Sequence, residues 1–389
     1  MAPDYIARVK ALAPRIAAAV PQIEADRQLP TELVEALHDA GLFRMLLPRS
    51  LGGEEMPLPR YVQVIEEIAK IDASTAWCVA QTSGCSTTTA SLPPETSREI
   101  YGSNPRALLA WGPPNASGKA VAVDGGYRIT GGWNYASGSR HATWLGAHCP
   151  VFEPDGKPRL NADGTPAEIT AVFPRDHATI HDVWHVIGLK GTGSDSYSLN
   201  DVFVPKIRTV TAFARNVAEK REAGPLYKFT TFQLFGASFS SIALGIARTT
   251  LDAFIELAKA KTPYGGKYLL RDNAVIQARI GFGEAQLGSA KAFLASALDD
   301  MWQGALGEGF TLEQRVRLRM ASTHATHQAK DVVDACYHAA GASAIFESNP
   351  FERRFRDVHT VSQQVQSHYS VFEAIGQHYL GLPLHPRLI

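Results

Sequence analysis

Cysteine is scarce in this chain: there are four, Cys78, Cys85, Cys149 and Cys336, among 389 residues. None belongs to a C-x-x-C pair and no paired-histidine motif accompanies them. Neither a zinc site nor a disulfide framework is therefore expected, and the pattern reads as a reduced, cytoplasmic protein. An excess of one charge is also missing, since Lys+Arg and Asp+Glu both number 38. Nucleic acid and anionic membranes both select a basic excess, so neither is the expected partner. No apolar run approaches the roughly 20 residues of a membrane span. The opening "MAPDYIARVKALAPRIAAAV" interrupts its apolar pattern with charges and reads as an amphipathic helix rather than a signal peptide. No strand leads into a G-x-G-x-x-G, and there is no Walker A sequence, which argues against a classical NAD or ATP enzyme. Internal repeats and low-complexity segments are absent too.

What is present changes texture twice. Residues 1–106 read as helical, with "PTELVEALHDAGLF" starting at Pro30 and Thr31, then "LPRYVQVIEEIAKIDASTAWCVAQTSG", and a short "SLPPETSREIYG" stopping at Gly102. Residues 107–210 are rich in Gly, Pro, Asp and short β-branched runs, punctuated by "DGG", "PDGKP" and "ADGTP", and read as a compact β domain. Helical periodicity returns over 211–389. The segments "FGASFSSIALGIARTTLDAFIELAKAK", "NAVIQARIGFGEAQLGSAKAFLASALDDMW", "LEQRVRLRMASTHATHQAKDVVDACYHAAG" and "SVFEAIGQHYLG" have the lengths of four bundle helices. Gly236, Ala237, Ser238, Ser240, Ser241 and Gly245 in the first of these let backbones approach closely.

One stretch breaks the β pattern. "TGGWNYASGSRHATW", residues 130–144, packs glycines, aromatics and small hydroxyls where a plain strand would alternate Val and Thr. It is either an irregular β element or the wall of something flat. Four segments in order, "LFRMLLPRSLGGEEMPLPRYVQVIEEIAKIDASTAW", "DGGYRITGGWNYASG", "GLKGTGSDSYSLNDVFVP" and "YHAAGASAIFESNPFERRFRDV", resemble the acyl-CoA dehydrogenase superfamily. The resemblance covers nearly the whole chain. It implies a mainly α fold with a central β domain: an N-terminal helical domain, a middle β-barrel and a C-terminal four-helix bundle. "WNYASG" and "GTGSD" are closer to the flavin monooxygenases of that superfamily than to its dehydrogenases. Those monooxygenases are oxygenase components that take reduced FMN or FADH2 from a separate NAD(P)H-flavin reductase. They react it with O2, through a C4a-hydroperoxyflavin, to oxygenate small aromatic substrates. The dehydrogenases need a glutamate base. The two equivalent positions here are Val365 and Phe235, which cannot take a proton, so a FAD-dependent acyl-CoA dehydrogenase is the rival reading and a catalytically silent member of the fold the other.

The resemblance also implies site residues, each with a plainer alternative. Ser137 takes the place of the hydroxyl facing flavin N5, although Ser-Gly is also an ordinary turn pair. Tyr135 would lie against the isoalloxazine, whereas Trp133 reads as core. Asn115, with Ser117 on a loop held by Pro113 and Pro114, would approach the site, or simply form an Asx turn. Thr192, Gly193 and Ser194 would bind flavin or substrate oxygens, or form a β turn. Arg271, with Gln277 as companion, resembles the arginine that binds the flavin phosphate, often across a subunit interface of a homotetramer. Gln364 stands where aromatic-hydroxylating relatives have a catalytic histidine, flanked by His359 and His368. Gln81, with Ser83, stands where some relatives have another. His368 is kept as a catalytic candidate, and Gln81, His359, Phe232 and Phe235 as substrate contacts. Loss of both usual histidines favours an indole-like ring or a thioether, which are nucleophilic without deprotonation. His141, His148, His181 and His185 read as ordinary β-domain residues, and His324 with His327 as a helix face without metal.

Overall fold

A computed structural model describes residues 4–115, 117–212 and 219–383. The N-terminal part runs α1 Tyr5–Asp26, α2 Thr31–Asp39, α3 Leu58–Ala69, α4 Ala73–Ser86 and the short α5 Pro94–Ser97. The long "LPRYVQVIEEIAKIDASTAWCVAQTSG" segment is thus two helices. Asp72 separates them because its carboxylate accepts the Thr75 N–H at 2.7 Å and so starts α4 as an N-cap.

The middle part contributes β1 Leu109–Trp111, β2 Lys119–Val123, β3 Gly126–Ala136, β4 Trp144–Phe152, β5 Glu168–Pro174, β6 Thr179–His181, β7 Asp195–Pro205 and β8 Thr209–Thr211. They form one mixed sheet in the order β6-β7-β3-β2-β4-β5-β8, with β1 parallel to β4. The sheet has its own core around Trp133, Tyr197, Phe173 and Leu145. Trp133 is fully buried, stacks on Tyr197 at 5.4 Å and donates its indole N–H to the His148 carbonyl at 3.0 Å.

The C-terminal part has α6 Thr231–Ala260, α7 Ala274–Leu306, α8 Leu312–Ala340, α9 Phe351–Val361 and α10 Val371–Tyr379. Reciprocal Thr–Gln capping boxes start α6 (Thr230, Gln233) and α8 (Thr311, Gln314). The helix packed beside α6 and α8 is α9, formed by "FERRFRDVHTV", and not α10, which packs near the start of α8 through Val371 and Ile375 on Val316. Helical spacing alone favours α10 because α9 is crowded with arginines, each of which has a specific acceptor.

Among the described residues α6 is the one helix long and apolar enough to cross a membrane, a feature that a search for uninterrupted apolar runs overlooks. Here it is a core helix, packed by α3, α4, α7, α8 and α9. Its serines satisfy themselves on the preceding turn: Ser238 donates to Leu234 O at 2.6 Å and Ser241 to Ala237 O at 2.9 Å. The N-terminal and C-terminal helices share one hydrophobic core. All four cysteines are buried and free of disulfides.

The inner face of α9 is ionic. Arg353 bonds Asp72 at 2.8 Å, and Arg356 bonds Glu352 at 2.7 Å and Glu24 of α1 at 3.1 Å. Asp357 is 3% exposed and accepts the Leu189 N–H at 2.7 Å. Burial pushes its carboxyl up to about 7, against the lowering effect of Arg353 and the Leu189 N–H. The native state therefore keeps this proton to a higher pH than the unfolded chain does. Its contribution to stability is full below the usual carboxylate range and is lost as pH rises through about 7. Asp357→Asn cannot ionise, so the thermal midpoint of the variant relative to wild type should rise between pH 5 and pH 8. A difference that does not change with pH would refute this.

Candidate active site

The sheet and the helices meet at a cavity of about 440 Å³, within the range of small-molecule sites. Its lining is mostly apolar and comes from every part of the chain. α4 gives Trp77 and Gln81. The segment after β1 gives Gly112 and Pro113, β3 and its turn give Tyr135 and Ser137, and the strap before β7 gives Trp184, Leu189, Thr192 and Ser194. From the C-terminal part come Phe232, Phe235 and Phe239 of α6, Thr360 of α9, and Gln363, Gln364, Val365 and Gln366 beyond it.

The irregular strand is a bulge. Register in the β3–β7 pair shifts between Trp133 and Ala136, and Tyr135 sits there with φ 57°. A left-handed conformation costs a non-glycine residue about 1–2 kcal/mol. The bulge breaks the in-out alternation: Ala136 stays buried while the Tyr135 ring, 64% exposed, turns towards Trp184 at 6.4 Å in an edge-on arrangement. Next to it, Ser137 Oγ accepts the Trp77 indole N–H at 3.0 Å and lies 2.6 Å from Ser194 Oγ, which lies 2.7 Å from Thr192 Oγ1. Thr192 reaches Leu189 O at 2.9 Å, a carbonyl that also accepts the Trp184 indole N–H at 3.1 Å. Because the Thr192 proton goes to Leu189 O, Ser194 donates to Thr192 and Ser137 to Ser194, which leaves Ser137 Oγ as an acceptor at the cavity.

The opposite wall is an aromatic ladder. Trp77 stacks on Phe239 with centroids 3.8 Å apart and planes 1° apart, and Phe239 stacks on Phe235 at 5.4 Å. The Phe235 ring lies so close over Gly84 of α4 that a Cβ there would sit 2.3 Å from it. Two amides complete the lining. Gln81 Nε2 donates to Trp111 O at 3.1 Å, which leaves its Oε1 as acceptor. Gln364 Oε1 accepts the Gln366 N–H at 2.8 Å, while its Nε2 is buried with no protein partner among the described residues. Planar aromatic faces, a file of hydroxyls and an unmet amide donor fit a flat heteroaromatic group such as a flavin ring with a second ring beside it.

Residues 7–101 match the family model for the acyl-CoA dehydrogenase N-terminal domain, and residues 237–369 match that for the C-terminal domain. The chain is 30% identical over 363 residues to the indole-3-acetate monooxygenase of Pseudomonas putida, covering 92% of this chain and 89% of the relative. It belongs to the acyl-CoA dehydrogenase family. Within that family it groups with the flavin-dependent monooxygenases. The solved HsaA monooxygenase of Mycobacterium tuberculosis superposes with a TM-score of 0.90 at 26% identity, over 99% of both chains. By sequence, HsaA is described as the oxygenase subunit of a flavin-dependent monooxygenase. XiaF from a Streptomyces species, solved with FADH2 and glycerol, superposes with a TM-score of 0.89 at 26% identity, over 97% of this chain and 95% of XiaF.

Of the residues singled out by resemblance to the family, Ser137, Tyr135, Thr192, Ser194, Gln81, Gln364, Phe232 and Phe235 are brought together at the cavity. Gly193 lies between two lining residues without lining it, and its φ of 49° and missing side chain let Arg140 pass to Asp195 at 2.7 Å. Three of the expected residues lie outside the cavity lining. Asn115 is exposed off the cavity in an Asx turn, its Oδ1 accepting the Ser117 N–H at 3.0 Å. His359 faces α8, bonded to Asp334 at 2.7 Å, and its neighbour Thr360, about 100° further round α9, reaches the cavity instead. His368 is exposed beyond a 3-10 turn, bonded to Ser370 at 2.8 Å. Arg271 and Gln277 lie at the turn into α7 away from the cavity, with Gln277 Nε2 donating to Arg271 O at 2.9 Å. The aromatic lining residues missed were Trp77, Trp111, Trp184 and Phe239. A lone tryptophan amid small residues in "STAWCV" was the only local sign of the first.

Ser137→Ala should lower stability by about 1–3 kcal/mol, because the buried Trp77 N–H loses its acceptor. Urea unfolding measures it, and an unchanged midpoint would contradict the assignment. Gly84→Ala should push the Phe235 ring into the cavity, lowering affinity for an aromatic probe such as indole about tenfold or more at a cost of about 1–3 kcal/mol in stability. Titration calorimetry showing wild-type affinity would refute it.

Proposed function

We propose that this protein is the oxygenase component of a two-component flavin-dependent monooxygenase. It would receive reduced FMN or FADH2 from a separate NAD(P)H-flavin reductase in the cytoplasm and use O2 to oxygenate a small apolar aromatic or heteroaromatic substrate, indole-like rings included. The observation that carries this reading is which residues face the cavity at the two dehydrogenase base positions: Val365 and Phe235 both line it, and both are apolar. A dehydrogenase would need a carboxylate there to remove the substrate proton.

When bound, reduced flavin supplies the electrons that activate O2 for transfer of one oxygen atom. The chain's own residues do the rest. Tyr135, Trp184 and the Trp77–Phe239–Phe235 ladder offer faces for planar rings and exclude water. Ser137, backed by Ser194 and Thr192, would offer its hydroxyl oxygen as an acceptor to a flavin N–H. Phe232 and Phe235 wall an apolar substrate, whose polar edge meets the Gln364 Nε2 donor and the Gln81 Oε1 acceptor. An amide cannot titrate at these positions, which favours substrates that are nucleophilic without losing a proton. Arg271 and Gln277 do not line this cavity and would hold a flavin phosphate at the site of another copy. The homotetramer that the family resemblance implies would supply it.

Anaerobic mixing of the protein with reduced FMN, and separately with FADH2, followed by O2, tests the reading. A transient near-ultraviolet absorbance, distinct from oxidised flavin and outlasting free-flavin autoxidation, is expected with at least one of them. Oxidation of both at the rate seen without protein would overturn it.

A further inference from the structure

The strap over residues 187–194 carries three lining residues, Leu189, Thr192 and Ser194. Leu189 holds φ 51°, a left-handed conformation that is strained for a residue with a side chain and must be held in place. Ser74 of α4 accepts the Gly191 N–H at 3.2 Å, and the hold on Leu189 itself comes from α9. Arg356 donates to the Ile187 carbonyl, and Asp357 accepts the Leu189 N–H at 2.7 Å. Two consecutive residues of one helix thus grip the strap by a C=O and by an N–H. Gly188 lies between them, where a Cβ would sit 2.2 Å from the Arg356 carbonyl oxygen. The Leu189 peptide matters because its carbonyl is the shared acceptor for the Trp184 indole and the Thr192 hydroxyl. Those two bonds set one aromatic wall and the far end of the hydroxyl file that ends at Ser137.

We propose that Asp357 is a positioning residue of the active site: by fixing the Leu189 peptide it orients Trp184 and the Thr192–Ser194–Ser137 hydroxyls. Asp357 does not line the cavity, so it acts only through Leu189. The charged groups around it are Arg353 and Arg354 on its own helix, Asp72 before α4 and Glu24 on α1. Either protonation state leaves an oxygen to accept the N–H, so the grip depends on an acceptor at that point and not on charge. Asparagine therefore replaces it, and valine or serine does not: valine has no acceptor, and the serine hydroxyl stops one atom short. This inference rests on the oxygenase reading only for its effect on chemistry.

Hydrogen–deuterium exchange on the flavin-free protein reads the grip directly. Asp357→Val and Asp357→Ser should raise exchange over residues 187–194 by about tenfold, the equivalent of one lost hydrogen bond, while α6–α8 stay protected. Asp357→Asn should match wild type. With reduced FMN and then O2, the valine and serine variants should shorten the near-ultraviolet transient by a similar factor, and asparagine should restore it. Unchanged exchange in Asp357→Val, a rise spread evenly over all core helices, or an asparagine variant as loose as valine would each overturn the proposal. If valine and serine variants do not fold, Asp357→Asn decides: loss of protection over 187–194 overturns the grip, and retention supports it. A wild-type protein with no flavin transient would sink the oxygenase reading and leave the exchange result standing on its own.

Discussion

The indole of Trp77 is where the three parts of this protein meet. It stands on a helix of the N-terminal part, donates its N–H to Ser137 at the end of the bulged strand, and stacks face to face on Phe239 of the long bundle helix. The helices share one core and the sheet has another, so something must register the two against each other. One directional bond and one planar contact from a single side chain do this. The cavity is the space left around that junction, which is why its walls come from segments nearly 300 residues apart in sequence.

Around the junction, polar groups are used sparingly and each has a fixed orientation. The hydroxyls of Ser137, Ser194 and Thr192 satisfy one another in a file that ends on Leu189 O, so burying them carries little desolvation penalty while the Ser137 oxygen keeps acceptor capacity for a ligand. The Gln81 and Gln364 amides are locked by backbone partners on one side, so each presents a defined atom to the cavity. Strain is concentrated nearby. Tyr135 and Leu189, both lining residues, hold left-handed backbone conformations, and the Leu189 N–H is tied down from outside the cavity by Asp357.

The ion pairs sort by burial. Exposed pairs such as Lys259–Glu256 contribute little, since water screens them. Arg353–Asp72 and Arg140–Asp195 are different, because in each the carboxylate is almost fully buried and also accepts backbone N–H groups. The first ties α9 to the cap of the helix carrying Trp77 and Gln81. The second anchors the strap that carries Trp184. Electrostatics here positions the cavity walls from behind and leaves the cavity itself uncharged among its described lining residues.

The sequence by itself determined the order of helices, sheet and bundle, the irregularity of "WNYASG", and the small residues on α6, because each is a local pattern of spacing, turn chemistry or side-chain size. It also placed Ser137, Thr192 and Ser194 together in expectation, through segments whose resemblance extends over nearly the whole chain. It did not determine which aromatic faces the cavity: Trp77, Trp111, Trp184 and Phe239 lie far apart in sequence, and nothing local distinguishes a ring that packs in a core from one that walls a site. Nor did it separate His359 from Thr360, adjacent on α9 but about 100° apart around it, or show that the arginine-rich "FERRFRDVHTV" is an inner helix. Those outcomes depend on which acceptor each side chain reaches across the interior. Only the tertiary structure decides that, because the hydrogen bonds and ring contacts concerned join residues remote along the chain.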